Sequence, residues 1–192
     1  MKDETVYTDL IQLTLSGNKE AYSELYDVTI HEVYKTAHFL IDDKADVDDV
    51  VQEIYIQLYE SLRKYDSEKP FRPWLIGLVI KQIHSYRRKR WDATTNYKKA
   101  EEQRKPVQSD FSNDVVSKIS NRKLIELIHK LPYKLKQVII LRYLHDYSQE
   151  EVAEILHIPI GTVKSRIHSA LKKLRQKEQV EEIFLGEVGN VK

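Results

Sequence analysis

Cysteine is absent from the 192-residue chain. Disulfides and thiolate metal sites are thereby excluded, and a reducing compartment fits. Glycine and proline are scarce, five of each, which argues against a β-rich fold with many tight turns. No apolar run is long enough for a membrane span or a secretory signal, and the N-terminus carries mixed charge. The expectation is a cytoplasmic protein with no membrane insertion of its own. An excess of one charge is also missing, since 31 Lys and Arg against 30 Asp and Glu leave a formal net charge of +1. Hydrophobic residues make up 41% of the chain and charged residues 32%, enough for a core covered by exposed amphipathic helices.

The near-neutral total conceals segregation. Asp42, Asp43, Asp46, Asp48, Asp49 and Glu53 form an acidic block, and Arg87, Arg88, Lys89 and Arg90 a basic one. Between residues 161 and 177 every formally charged residue is Lys or Arg. Local charge, not the total, governs contact with phosphate, so opposite patches predict two different partners.

Helical periodicity covers most of the chain. Tyr22, Leu25, Tyr26, Ile30, Val33 and Ala37 predict a helix over 19–40, and a polar break follows at 42–46. Val47, Val50, Val51, Ile54, Leu58 and Leu62 share the stripe of a second helix. Residues 65–70 read as a loop. Pro73 is tolerable in the first turn of the next helix, which carries Trp74, Leu75, Leu78, Val79, Ile83 and Tyr86. Residues 92–114 are polar, with no sustained stripe, and read as a linker. Periodicity resumes with Val115, Val116, Ile119, Leu124, Leu127 and Ile128, breaks at Leu131-Pro132, and continues through Val138, Ile139, Leu141 and Leu144. The predicted fold is all-α: two helical domains, 1–91 and 115–178, joined by a polar linker, with 179–192 a mobile tail.

The sharpest local signal lies at 148–175. Ser148 and Glu151 have capping-box spacing, in which each side chain satisfies an otherwise unpaired backbone N–H. Val152, Ala153 and Ile155 face inward on a short helix, and Ala153 is small where two helices must cross closely. A turn over 157–160 leads to a second helix that Thr162 can cap. His157 stands at the turn position where glycine commonly adopts positive φ. On the second helix Val163, Ile167, Ala170, Leu171 and Leu174 face inward, while Lys164, Ser165, His168 and Lys172 share the opposite face. Polar tips flanked by cations are what a recognition helix presents to base edges and phosphates of the major groove.

The string Leu-Pro-Tyr-Lys-Leu-Lys-Gln-Val-Ile-Ile-Leu-Arg-Tyr at 131–143, followed by this helix-turn-helix, resembles domain 4 of bacterial RNA polymerase sigma factors. Asp-Val-Asp-Asp-Val-Val-Gln-Glu-Ile-Tyr-Ile from 46, Phe-Arg-Pro-Trp-Leu from 71 and Tyr-Arg-Arg-Lys-Arg from 86 resemble domain 2 of the extracytoplasmic-function group. The likeness spans about 18–90 and 116–176. It implies a non-enzymatic transcription initiation factor without cofactor or metal. Its implied partners are promoter DNA, an anti-sigma factor, and core RNA polymerase through the β′ clamp helices and the β flap.

By the same resemblance, Asp48, Asp49, Gln52 and Glu53 dock on the clamp helices; their place at a helix start also suits the macrodipole. The loop region carrying Asp66, Ser67, Phe71 and Arg72 corresponds to the pocket for a flipped −10 base, whose extrusion costs roughly a few kcal/mol. Lys81, His84, Arg87 and Arg88 would follow the −10 single strand. Trp74 reads as core. Lys164, Ser165 and His168 would meet −35 bases, with Thr162, Arg166 and Lys172 on phosphate. The chain departs from the family at Ile80-Lys81, where Arg-Asn is common, and at His168, where Arg or an aromatic residue is common.

Two other readings compete. An enzyme would need a constellation the chain lacks: His31-Glu32 has no second His at the zinc spacing, and the carboxylates lack the spacing of a calcium loop. A conventional helix-turn-helix regulator would bind duplex operator without polymerase, and would need a dimer seam or ligand pocket in the first ninety or so residues.

Overall fold

The structure, a computed structural model, describes residues 4–96 and 122–188, with side chains over 4–92 and 124–176. The chain divides into two compact units, Met1–Val115 and Val116–Lys192. Every regular element among the described residues is helical, and none is long and apolar enough to cross a membrane.

Among the described residues, four α-helices build the first unit: α1 (Glu4–Leu15), α2 (Lys19–Leu40), α3 (Val47–Ser61) and α4 (Phe71–Asn96). α1 was not anticipated as an element. Tyr7, Leu10, Ile11 and Thr14 recur at helical spacing on its buried face. It closes in a Schellman arrangement, with Gly17 N–H donating to the Thr14 carbonyl and Asn18 N–H to that of Leu13, both at 3.0 Å. Gly17 has φ +96°, the left-handed geometry this closure requires. Asn18 then caps α2, its Oδ1 accepting from Ala21 N–H at 3.0 Å.

The apolar stripes expected on α2 and α3 are buried apart from the half-buried Tyr22 and Tyr26, and Leu25, Val33, Ile54 and Leu58 are buried completely. Leu75, Ile76, Val79, Ile80 and Ile83 of α4 pack against them. At the start of α4, the Phe71 backbone N–H donates to Glu4 Oε2 at 3.0 Å, so α1 supplies a cap from 67 positions away. The Phe71 ring meets Tyr7, Tyr65 and Trp74 at centroid distances of 5.1, 5.5 and 5.8 Å.

The second unit contains α5 (Arg122–His129), α6 (Tyr133–Ile139), α7 (Gln149–Leu156) and α8 (Ile160–Val188). The break at Leu131-Pro132 is present; the Pro132 carbonyl accepts from Leu135 and Lys136 N–H at 2.9 Å as α6 begins. α6 runs into a π-helical turn over Ile140–Leu144. Leu131, Ile139 and Ala170 form a core cluster with Ile128, Leu135, Leu171 and Leu174 packed against it; Val138, Ile140, Leu141, Val152 and Val163 are also buried.

Two boundaries move. α4 continues to Asn96, five residues past the expected domain end, because 92–96 contain neither Gly nor Pro to stop it. The expected tail from 179 is helical through Val188. The rest of the predicted linker, 97–114, and the Val115, Val116 and Ile119 stripe lie outside the described residues, as do 189–192.

Near the end of α2, His38 is 8% exposed. Burial, and then the nearby Lys44 ammonium, lower its pKa from 6.5 to about 4. As pH falls, the unfolded chain therefore takes up this proton first. The stability His38 contributes is complete above the ordinary value of 6.5 and disappears as pH drops towards about 4. Both tryptophans belong to the first unit, so urea unfolding followed by their fluorescence reports on it. We expect about 2 kcal/mol less stability at pH 5 than at pH 7 from this group, and a smaller difference in His38→Leu. An unchanged pH dependence in that variant would remove His38 as the cause.

Candidate nucleic-acid interface

The helix-turn-helix of the second unit is built from α7 and α8. Ser148 caps α7 as its spacing predicts: Glu151 N–H donates to Ser148 Oγ at 3.1 Å, and Ser148 N–H to Glu151 Oε2 at 2.7 Å. α7 closes like α1, with His157 N–H on the Glu154 carbonyl at 3.2 Å and Ile158 N–H on that of Ala153 at 3.0 Å. His157 holds the left-handed position, φ 51° and ψ 48°. The backbone at His157 thus carries the steric cost of a Cβ that glycine avoids.

α8 begins at Ile160, not at a Thr162 cap. The Pro159 carbonyl accepts from Thr162 and Val163 N–H at 2.8 and 3.2 Å, which places Thr162 inside the first turn. Val163, Ile167 and Ala170 are buried, and Leu171 and Leu174 are half-buried against the core. Lys164, Ser165, His168 and Lys172 are all exposed on the opposite face, with Thr162 and Arg166 half-buried beside them. From Thr162 to Lys172 this face spans roughly 15 Å at the helical rise. Its formal charges are all positive.

In the first unit the acidic block splits. Asp42 accepts from Arg87 at 2.6 Å, and Arg90 donates to Asp43 at 2.8 Å and also to Asp46. Tyr86 OH donates to the same Asp46 carboxylate at 2.5 Å, and its pKa is pushed up to about 12 by burial and then by that bond. These carboxylates hold α4 to the connector after α2. Asp48, Asp49, Gln52 and Glu53 instead stand exposed on α3, and no ion pair engages them among the described residues.

Beside Asp48 and Gln52 lies a groove of about 840 Å³ between α2 and α3, lined by Tyr22, Tyr26, Tyr55, Ile56 and Tyr59. Tyr22 meets Tyr59 edge-on at 5.0 Å, and Tyr26 lies 4.5 Å from Tyr55. The Tyr22 hydroxyl donates to the Tyr55 carbonyl at 2.5 Å. Ile56 and Tyr59 remain exposed. This apolar surface was not foreseen, although the tyrosines stand four apart on each helix, a spacing that puts a pair on one face.

The residues expected to take the −10 strand separate into three groups. Phe71 is 0% exposed and belongs to the core, so its ring is not available to a base; this corrects the sequence expectation. Arg72 is committed to the protein, its Nε and Nη2 donating to the two Glu32 carboxylate oxygens at 3.0 and 2.9 Å. Arg87 is held by Asp42. Asp66 and Ser67 are exposed on the loop, where Asp66 Oδ1 accepts from Glu68 N–H at 3.1 Å. Lys81, His84 and Arg88 are exposed at i, i+3 and i+7 along α4. Burial, and then Arg87, lower the His84 pKa and favour its neutral ring.

Family models of Sigma-70 region 2 and Sigma-70, region 4 match residues 25–93 and 121–174, one in each unit. The chain is 28% identical over 174 residues to "ECF RNA polymerase sigma factor SigW" of Bacillus subtilis (strain 168), covering 86% of this chain and 93% of that protein. It is 28% identical over 198 residues to "ECF RNA polymerase sigma-E factor" of Haemophilus influenzae, covering 93% and 98% respectively. Its fold resembles CnrH, solved with the cytosolic domain of CnrY, at TM-score 0.64 and 22% identity over 93% of this chain and 97% of that one. It also resembles the sigma factor RpoE of Bartonella quintana, solved with the anti-sigma factor NepR, at TM-score 0.69 and 18% identity over 83% and 97%.

Region 2 in one unit and region 4 in the other define a promoter-recognition factor of the sigma-70 class, and the operator-binding regulator is set aside. The chain belongs to the sigma-70 family, in its extracytoplasmic-function group.

The left-handed turn residue generates a direct test. Glycine adopts this backbone geometry without the Cβ clash that costs a histidine about 1 kcal/mol or more. His157→Gly should stabilise the second unit by about 1 kcal/mol, read as a higher urea midpoint in far-ultraviolet circular dichroism. A lower midpoint would mean that the imidazole makes a compensating contact.

Proposed function

We propose that the α3 face of Asp48, Asp49, Gln52 and Glu53 binds core RNA polymerase, with the exposed Ile56 and Tyr59 of the adjoining groove extending it. Lys81, His84 and Arg88 of α4, with Asp66 and Ser67 of the preceding loop, follow the melted −10 strand. Lys164, Ser165 and His168 read the −35 duplex, while Thr162, Arg166 and Lys172 bind its phosphates. The protein acts as a transcription initiation factor and not as an enzyme, in the cytoplasm where polymerase works.

The observation that carries this reading is the division of charge after internal pairing. Asp42, Asp43 and Asp46 are consumed within the fold, while the α3 acids are left to solvent. The exposed face of α8 from Thr162 to Lys172 is free of acids, as phosphate contact requires. One unit thus offers an anionic protein-docking face and the other a cationic duplex face. An anti-sigma factor is a natural regulator, since a protein of similar fold was solved with one.

Exposed carboxylates at an interface act when paired with a partner's cations, and interface hot spots are worth about 2 kcal/mol, or roughly 30-fold. The Asp49→Ala, Glu53→Ala double variant should therefore bind purified core polymerase about 30-fold more weakly, with an unchanged circular dichroism spectrum. Core binding at the native level would place the docking surface elsewhere. Lys164→Ala should relax discrimination at the −35 element by about 1–3 kcal/mol per contacted base pair while leaving core affinity unchanged. Unaltered −35 preference would move base reading to other residues of α8.

A further inference from the structure

α1 has no part in the surfaces assigned above, yet it reaches both ends of the loop that carries Asp66 and Ser67. It packs on the 3-10 turn Leu62–Lys64, which leads into the loop, and on α4, which leaves it. The start of α4 has no local cap. Pro70, the residue before it, offers no side-chain acceptor, and Pro73 has no N–H to donate. Glu4 supplies the missing acceptor: its Oε2 takes the Phe71 N–H at 3.0 Å, and a carboxylate suits the positive end of a helix. One turn further along α1, the Tyr7 ring meets that of Phe71 at 5.1 Å.

These contacts reach the loop through short links. The Tyr65 ring rests on Phe71 and Trp74 at 5.5 and 4.9 Å, and its hydroxyl donates to the Lys69 carbonyl. Lys69 N–H in turn donates to the Asp66 carbonyl at 3.0 Å, while Glu68 N–H donates to Asp66 Oδ1 at 3.1 Å. Arg72, held by both Glu32 carboxylate oxygens, ties the same end of α4 to α2. Both ends of the loop are thus anchored, while Asp66 and Ser67 stay exposed. Such anchoring matters for recognition, because a contact made from a mobile loop loses affinity to the cost of ordering it.

We propose that Glu4 is a positioning residue for −10 recognition: by capping α4 at Phe71, it fixes the loop in the geometry from which Asp66 and Ser67 meet the strand. The proposal rests on the reading of those two residues as −10 contacts. It gives α1 a part in promoter choice without any contact of its own to DNA. The acceptor oxygen does the holding, so an amide in its place serves as well.

The test uses holoenzyme assembled from core polymerase and the full chain, on a forked promoter probe that is duplex upstream and single-stranded through the −10 element. Affinity is compared between this probe and probes with one −10 base replaced at a time. The Asp66→Ala, Ser67→Ala double variant identifies the positions that the loop reads. At those positions Glu4→Ala should lower the preference for the original base about five-fold, the equivalent of one lost helix cap, with core affinity unchanged. Glu4→Gln should restore most of that preference, since its amide oxygen still accepts from Phe71 N–H. Ile54→Val, a core change of similar cost to stability, should keep the wild-type preference and so separates positioning from general loosening. Added to the loop double variant, Glu4→Ala should cost nothing further. Wild-type preferences in Glu4→Ala would overturn the proposal and leave the loop reading standing. So would an equal loss at every −10 position, or the same loss in Ile54→Val, either of which would reduce the cap to a stabilising contact. Wild-type preferences in the loop double variant would instead remove the loop from −10 reading, and the proposal with it.

Discussion

Asp42, Asp43 and Asp46 follow α2 directly, and which cations α4 displays depends on what they hold. Arg87 pairs with Asp42, Arg90 bridges Asp43 and Asp46, and Tyr86 closes the network on Asp46. As a source of stability the network is modest, because the Asp42 side chain is 67% exposed and solvent screens such pairs. Its effect is positional. It pins the last turns of α4 to the connector and neutralises two cations that the basic run would otherwise display. What is left for partners is an acidic face on α3 and a spaced stripe of Lys81, His84 and Arg88 on α4.

The second unit reaches a similar division by a different route. The buried side of α8 is set by Val163, Ile167 and Ala170, and its cations are confined to the remaining surface. On the proposed assignment each unit offers only a few contacts to DNA, too few for tight binding alone under ordinary salt. Carried by one chain and anchored on one large partner, the two contacts act at high effective concentration, and their affinities combine. Recognition of two separated promoter elements follows from that linkage and not from an extensive interface in either unit.

Much of this was legible in the sequence wherever the signal was local. The α2 and α3 stripes, the Leu131-Pro132 break, the Ser148–Glu151 capping box and the left-handed His157 all follow from residues within a few positions of one another. What escaped depended on distant partners. α1 is short, and its importance lies in Glu4 capping α4 and Tyr7 packing on Phe71. Family resemblance groups Phe71 with the loop region at 66–72, yet three aromatic neighbours draw it into the core. The pairing of the acidic and basic blocks spans more than forty positions, and the tyrosine groove needs two helices side by side. No periodicity within a single helix reveals either. The Thr162 cap failed for a smaller reason: Pro159 supplies a carbonyl that starts α8 three residues earlier.

This chain confers promoter choice on RNA polymerase, and run-off transcription is the direct test. Genomic DNA fragments would be transcribed by purified bacterial core polymerase with and without the protein. Discrete start sites should appear only when the protein is present, each preceded by a shared pair of upstream elements. An absence of specific initiation, together with tight sequence-specific binding of duplex DNA by the protein alone, would contradict it.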